Sequence, residues 1–163
     1  MEATTFAGQD QAARYQELGP QLAALLEGES DLIANLANAA AAIKECVTAA
    51  SWVGFYRRVG DELVLGPFQG KVACVRIAMG RGVCGTAAAD QRTVVVADVE
   101  QFPGHIACDA GSRSEIVVPI LRPGDGRVVA VLDVDSYQLD AFGEVDARAL
   151  EAIAAMLARL AWP

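Results

Sequence analysis

Glu115-Ile116-Val117-Val118-Pro119-Ile120-Leu121, then Pro123-Gly124-Asp125-Gly126, then Val128-Val129-Ala130-Val131-Leu132-Asp133-Val134-Asp135 is the stretch that decides the fold. Two β-branched apolar runs on either side of a turn-forming cluster read as an antiparallel hairpin. Upstream, Trp52 to Val59 and Glu62 to Phe68 form a second hairpin, joined by the two-residue turn Gly60-Asp61. Cys74 to Ile77 and Thr93 to Ala97 complete six strands, and Gly80 to Ala89 between them reads as a turn opening a short helix. Asp10 to Glu27 has helical apolar spacing interrupted by Gly19-Pro20, which predicts two short helices or one kinked helix. Leu32 to Val47 follows as an Ala-rich helix with Cys46 in the core, and Gly143 to Ala161 is strongly amphipathic. Helices at the ends and hairpins between them predict an α+β architecture: an antiparallel sheet with the terminal helices on one face and the other face free for a pocket.

The bulk numbers bound the function. A chain of 163 residues, 53% hydrophobic and with no linker or internal repeat, predicts a single domain over 1–163. A net charge of −8 argues against a nucleic-acid partner, which calls for a basic face. Asp31 to Ile43 is too short and too rich in Ala and Asn for a membrane span, and Met1 to Thr5 lacks the pattern of a signal peptide, so the expected location is the cytoplasm. In a reducing compartment, four cysteines are free, metal-bound or catalytic before they are structural disulfides. They include no Cys-x-x-Cys pair, and a single histidine, His105, leaves few further zinc ligands.

Three of the cysteines, Cys74, Cys84 and Cys108, flank or fall within Gly-rich turns, where a reactive thiol would find access and polar neighbours. Packing remains the alternative for each. Cys108 sits in Phe102-Pro103-Gly104-His105-Ile106-Ala107-Cys108-Asp109, with loop amides, His105 and Arg113 as candidate activators. A Cys/His hydrolase is the weaker reading of that loop. Strand alternation puts Trp52, Gly54 and Tyr56 on one face, and puts Asp133 with Asp135. The two aspartates read either as a polar strand end at the surface or, with Glu115 from the neighbouring strand, as a cluster that could hold an ammonium group or a Mg²⁺ or Ca²⁺ ion. Alone, Glu115 reads as a solvated carboxylate beside Arg113.

These motifs, with Leu65-Gly66-Pro67-Phe68-Gln69-Gly70-Lys71, Ala73-Cys74, Gly80-Arg81-Gly82-Val83-Cys84-Gly85-Thr86-Ala87 and the blocks Ser51–Tyr56, Phe102–Asp109, Ser114–Pro119 and Val131–Ser136, resemble the free methionine-(R)-sulfoxide reductases from about residue 10 to the end. The resemblance implies a GAF-type fold and a cytosolic homodimer that reduces the R epimer of free methionine sulfoxide. It implies Cys108 as nucleophile, Cys74 as the favoured resolving cysteine and Cys84 as an alternate. It also implies that Trp52 and Tyr56 wall the substrate's methyl end, while Glu115, Asp133 and Asp135 bind its ammonium and polarise the sulfoxide. No bound cofactor or metal is implied; thioredoxin or another dithiol would be the external reductant. Gly111 stands where the family often has Ala, a change expected to loosen the loop slightly. The rival from another class is a non-catalytic GAF-type sensor of a small ligand or of redox state.

Overall fold

The computed structural model describes residues 4–106 and 108–163; the start of the amino-terminal stretch weighed above as a leader, Met1 to Ala3, and Ala107 in the Cys108 loop lie outside them. The two hairpins are β1 (Trp52–Val59) with β2 (Glu62–Gln69), and β5 (Ser114–Leu121) with β6 (Val128–Ser136). β1 and β6 pair antiparallel with each other, which joins the hairpins at the centre of one sheet. Short strands β3 (Arg76–Ala78) and β4 (Val94–Val96) close its two edges, giving the order β3-β2-β1-β6-β5-β4 with every pairing antiparallel.

Period-two alternation divides the sheet into two faces. Val53, Phe55, Ile116, Val118, Ile120, Leu132 and Val134 point to one, where α2 (Leu32–Cys46) and α4 (Glu144–Leu157) cover them. Cys46 is fully buried there, as its place in the apolar helix predicts. α1 (Gln11–Leu26) does not lie on the sheet; it packs across α2 and α4 as an outer layer. Its start is capped by Asp10, whose carboxylate accepts from Ala13 N at 2.8 Å. Tyr15 OH donates to Asp146 Oδ1 at 2.9 Å, and the same carboxylate accepts from Gly143 N, so one buried aspartate caps α4 and ties α1 to it.

Of the two alternatives for α1, one continuous helix forms, with Pro20 inside it on the exposed side. Leu18 and Leu22 are fully buried on the opposite side, and their burial holds the helix through the missing backbone donor. β3 begins at Arg76 rather than Cys74, because the segment before it leaves the ladder to form a loop. α4 ends at Leu157 rather than continuing to Ala161.

The other face carries Trp52, Tyr56, Val117 and Val131, covered by α3 (Gly82–Asp90) and two long connections. One connection links β2 to β3. The other runs from β4 through a 3-10 turn at Val99–Gln101 to β5. They come from opposite halves of the sheet and meet above its centre.

Candidate active site

Sheet register builds the floor of the cleft. Trp52 lies opposite Asp135, and Asp135 opposite Glu115. Gly54 lies opposite Asp133, and Tyr56 opposite Val131. Directly paired residues share a face, so one aromatic and two carboxylates form a row across three strands, with Asp133 in the next row. The structure thus brings Trp52, Tyr56, Glu115, Asp133 and Asp135 together on the face opposite the helical core.

Gly54 gives the Trp52 ring its place: a Cβ there would stand 2.3 Å from Cη2 of Trp52 and 2.5 Å from Cβ of Phe68. Gly70, at φ 142°, lets the backbone pass the other side of the ring, where a Cβ would be 2.4 Å from Trp52 Cδ1. Trp52 stacks on Phe68 and Tyr56 with centroids 5.3 and 6.1 Å apart. The polar edges of both aromatics face the β2–β3 connection. Trp52 Nε1 donates to Lys71 O at 3.0 Å, and Tyr56 OH donates to Cys74 O at 3.1 Å.

Above this floor, Cys74 and Cys108 form a disulfide, their Cα atoms 5.4 Å apart. The cleft it bridges is lined by Trp52, Tyr56, Cys84, Glu115, Asp133 and Asp135 among others.

The carboxylates are not solvated. Glu115 and Asp133 are each 6% exposed and Asp135 is half-buried, which excludes both a surface strand end and an ion pair of Glu115 with Arg113. Among the described residues, no Lys or Arg pairs with any of the three. Burial first, and mutual repulsion second, push the carboxyls of Glu115 and Asp135 well above the usual carboxylate range. Burial raises Asp133 to about 7, against hydrogen bonds from Cys84 and Glu115. Oδ1 of Asp133 is buried with no hydrogen-bond partner. An orphaned acceptor in a crowded acidic cluster suits a cationic ligand group, and the cluster itself stores a proton at neutral pH.

Cys84 corrects an expectation. It is not an accessible loop thiol but is 4% exposed in the first turn of α3, its Sγ 4.0 Å from Glu115 Oε1. The glycines that suggest an exposed turn instead permit close packing. A Cβ on Gly85 would lie 2.4 Å from Ala78 O, and one on Gly82, at φ 61°, would lie 3.2 Å from the Ile106 side chain. Burial, then Asp133 and Glu115, raise the Cys84 thiol well above its ordinary value. Ligand atoms of Cys84, Glu115 and Asp133 lie within 4.8 Å of one another, but a buried thiol that keeps its proton beside proton-holding carboxyls is a poor metal site. The loop places Nε2 of His105 at 3.9 Å from Glu115 Oε2, and burial lowers its pKa. The sequence offers His105 only as a neighbour of Cys108; its place at Glu115 emerges from the loop's path. Ile106 and Ser112, which also line the cleft, carry no signal of their own in the sequence.

The GAF domain family matches residues 16–160. The chain is 52% identical to GAF domain-containing protein A of Dictyostelium discoideum over 88% of this chain and 90% of that protein. It is 46% identical to the free methionine-R-sulfoxide reductase of Escherichia coli over 90% of this chain and 87% of that enzyme. The X-ray structure of free methionine-R-sulfoxide reductase from Neisseria meningitidis in complex with its substrate superposes with a TM-score of 0.93 at 51% identity, covering 98% of this chain and 95% of that one.

Proposed function

This chain belongs to the GAF domain family and, within it, to the free methionine-R-sulfoxide reductases, and on that premise we propose that it reduces free L-methionine-(R)-sulfoxide to L-methionine through Cys108. The observation that carries the reading is the Cys74–Cys108 disulfide above a carboxylate cluster that no Lys or Arg among the described residues pairs with. The substrate's ammonium takes the place among Glu115, Asp133 and Asp135 that no Lys or Arg among the described residues fills. Its methyl end lies against Trp52 and Tyr56.

The Cys108 thiolate attacks the sulfoxide sulfur, and the departing oxygen must gain a proton. A carboxyl kept protonated by crowding supplies it. The substrate sulfur gains two electrons and leaves as the thioether methionine. The protonated oxygen ends on the Cys108 sulfur as the substrate S–O bond breaks, so that sulfur loses two electrons and becomes a sulfenic acid. Cys74 then attacks that sulfur, the S–O bond breaks, water leaves and the disulfide forms. An external dithiol such as thioredoxin reopens it by exchange. Cys84, buried and protonated, is the slower alternate. In the empty site the acids oppose ionisation of Cys108, and the bound ammonium relieves this, so substrate helps to activate its own nucleophile. The proposal includes one domain over the whole chain, a homodimer, a cytoplasmic location and no bound cofactor. A sensor of a small ligand has no need of a redox pair over its cleft, and the likeness to named reductases favours catalysis over a sensor of redox state.

Incubation with racemic free methionine sulfoxide and a dithiol, followed by chiral separation, tests the activity. The R epimer should disappear and the S epimer persist; persistence of both returns the chain to the sensor reading. Cys108→Ser should abolish turnover, and Cys74→Ser should release about one methionine per site before stalling.

A further inference from the structure

Beside the disulfide lies a second, non-covalent link between the same two loops. Asp109 follows Cys108 directly, and Lys71 precedes Cys74 in the β2–β3 connection. Lys71 Nζ stands 3.3 Å from Asp109 Oδ2, and Tyr137 OH donates to that same oxygen at 2.7 Å. The Lys71 ammonium also lies 5.0 Å from the centroid of the Tyr137 ring. The other carboxylate oxygen, Oδ1, accepts from Gly111 N at 2.9 Å and fixes the loop that carries it. The Tyr137 ring rests against Gly111, where a Cβ would come within 3.0 Å of Cε1, so this glycine seats the ring rather than loosening the loop. Lys71 is held from its backbone as well, through its carbonyl to Trp52 Nε1. Three elements therefore converge on one carboxylate: the Cys74 loop, the Cys108 loop and the chain leaving β6.

We propose that Lys71, Asp109 and Tyr137 form a latch that holds the two cysteine loops at closing distance while Cys108 is a sulfenic acid, and so sets the rate of disulfide formation. The inference rests on the reductase reading for its physiological setting, but the latch is a property of the loops themselves. Closure requires Cα atoms within about 4.4–6.8 Å. On reduction the covalent link is lost, and the latch is what keeps Cys74 over Cys108. The reaction it serves balances without another reagent: the Cys108 S–O bond breaks, the S–S bond to Cys74 forms and water leaves. The three residues are positioning residues and touch no reacting atom. An ordered latch also shortens the life of the sulfenic acid, which guards it against irreversible oxidation.

The test starts from fully reduced protein and oxidises Cys108 with one equivalent of hydrogen peroxide, so that it stands whether or not methionine sulfoxide is the substrate. Closure is followed by quenched mass mapping, and the open sulfenic acid is trapped with dimedone. Lys71→Met, Asp109→Asn and Tyr137→Phe should each slow closure about three- to tenfold, the range expected for loss of an exposed ion pair or hydrogen bond. They should raise dimedone labelling in proportion. The double variant Lys71→Met with Asp109→Asn should slow closure no more than the slower single variant, a non-additivity that two independent structural defects would not produce. Closure at the wild-type rate in Lys71→Met and Asp109→Asn overturns the latch, as does full additivity in the double variant. In a parallel single-turnover assay with methionine-(R)-sulfoxide, Lys71→Met should leave the methionine burst within about twofold of wild type; an equal slowing of burst and closure also overturns it. Failure of wild-type protein to release methionine would instead count against the reductase reading alone.

Discussion

Asp133 keeps its proton to about pH 7 because burial penalises its charge more than its hydrogen bonds favour it. In the unfolded chain the same carboxyl ionises near pH 4. Between those values the folded state holds a proton that the unfolded state has released, so stability falls as pH rises through this window and levels above about 7. The slope per group is at most about 1.4 kcal/mol per pH unit, and Glu115 and Asp135 shift in the same direction. Urea midpoints at pH 5, 6, 7 and 8 should therefore decline for the wild type, and Asp133→Asn should flatten that decline. An unchanged slope in the variant would put the stored proton on another group. On the proposed function, the same substitution also removes an acceptor for the substrate's ammonium, for which about 10- to 100-fold in kcat/KM is the expected loss. Turnover should thus suffer where folding gains, and that opposition marks Asp133 as a residue kept for ligand rather than for fold.

At the scale of elements, α1 shows how packing overrides a local conflict. Pro20 removes a backbone donor and crowds the preceding turn at a cost of about 3 kcal/mol in a helix interior, yet Tyr15, Leu18 and Leu22 bury one continuous stripe against α2 and α4. Because Pro20 itself is exposed, Pro20→Ala loses no core contact and should stabilise the protein by about 1–3 kcal/mol in urea unfolding, with sulfoxide turnover unaltered. A destabilised variant would mean that the proline's rigidity in the unfolded chain outweighs its strain in the helix. Sequence reading leaves α1 open between one helix and two for this reason: spacing and proline point opposite ways, and only tertiary burial decides. The hairpins β1–β2 and β5–β6 are legible to within a residue because Gly60-Asp61 and Pro123 to Gly126 state their turns. β3 and β4 have a single ladder each, so neighbouring apolar residues such as those at Cys74 look like strand when they are loop. The carboxylate cluster is legible from alternation within β6 and from the neighbouring strand. The burial of Cys84 is not, because glycine in a sequence marks equally a turn and a close approach. Nor is the latch, since Lys71, Asp109 and Tyr137 are ordinary surface residues until the two loops meet.

The whole molecule is organised so that those loops must meet. Sheet order puts the β2–β3 connection on one side and the β4–β5 connection on the other, with β1 and β6 and their cleft residues between. The disulfide is thus a strap across the pocket face, joining halves of the sheet through residues 34 apart in the chain. Closing a loop of that length restricts the unfolded chain by about 4 kcal/mol, so the oxidised form should melt roughly 8–15 °C above the reduced form. The helical face carries the larger core and contains neither Cys74 nor Cys108, so the reduced protein is expected to stay folded. A thermodynamic cycle gives this difference a second meaning: whatever the strap adds to folding stability, it also adds to the resistance of the folded disulfide to reduction, relative to the unfolded chain. Under the proposed function, recycling by a dithiol must overcome that same amount. Thermal melts with and without excess dithiol measure it directly, and Cys74→Ser should melt at the reduced temperature in both conditions. Coincident melts for oxidised and reduced wild type would mean that native strain offsets the entropic gain, and the disulfide would then be as easily reduced in the fold as outside it.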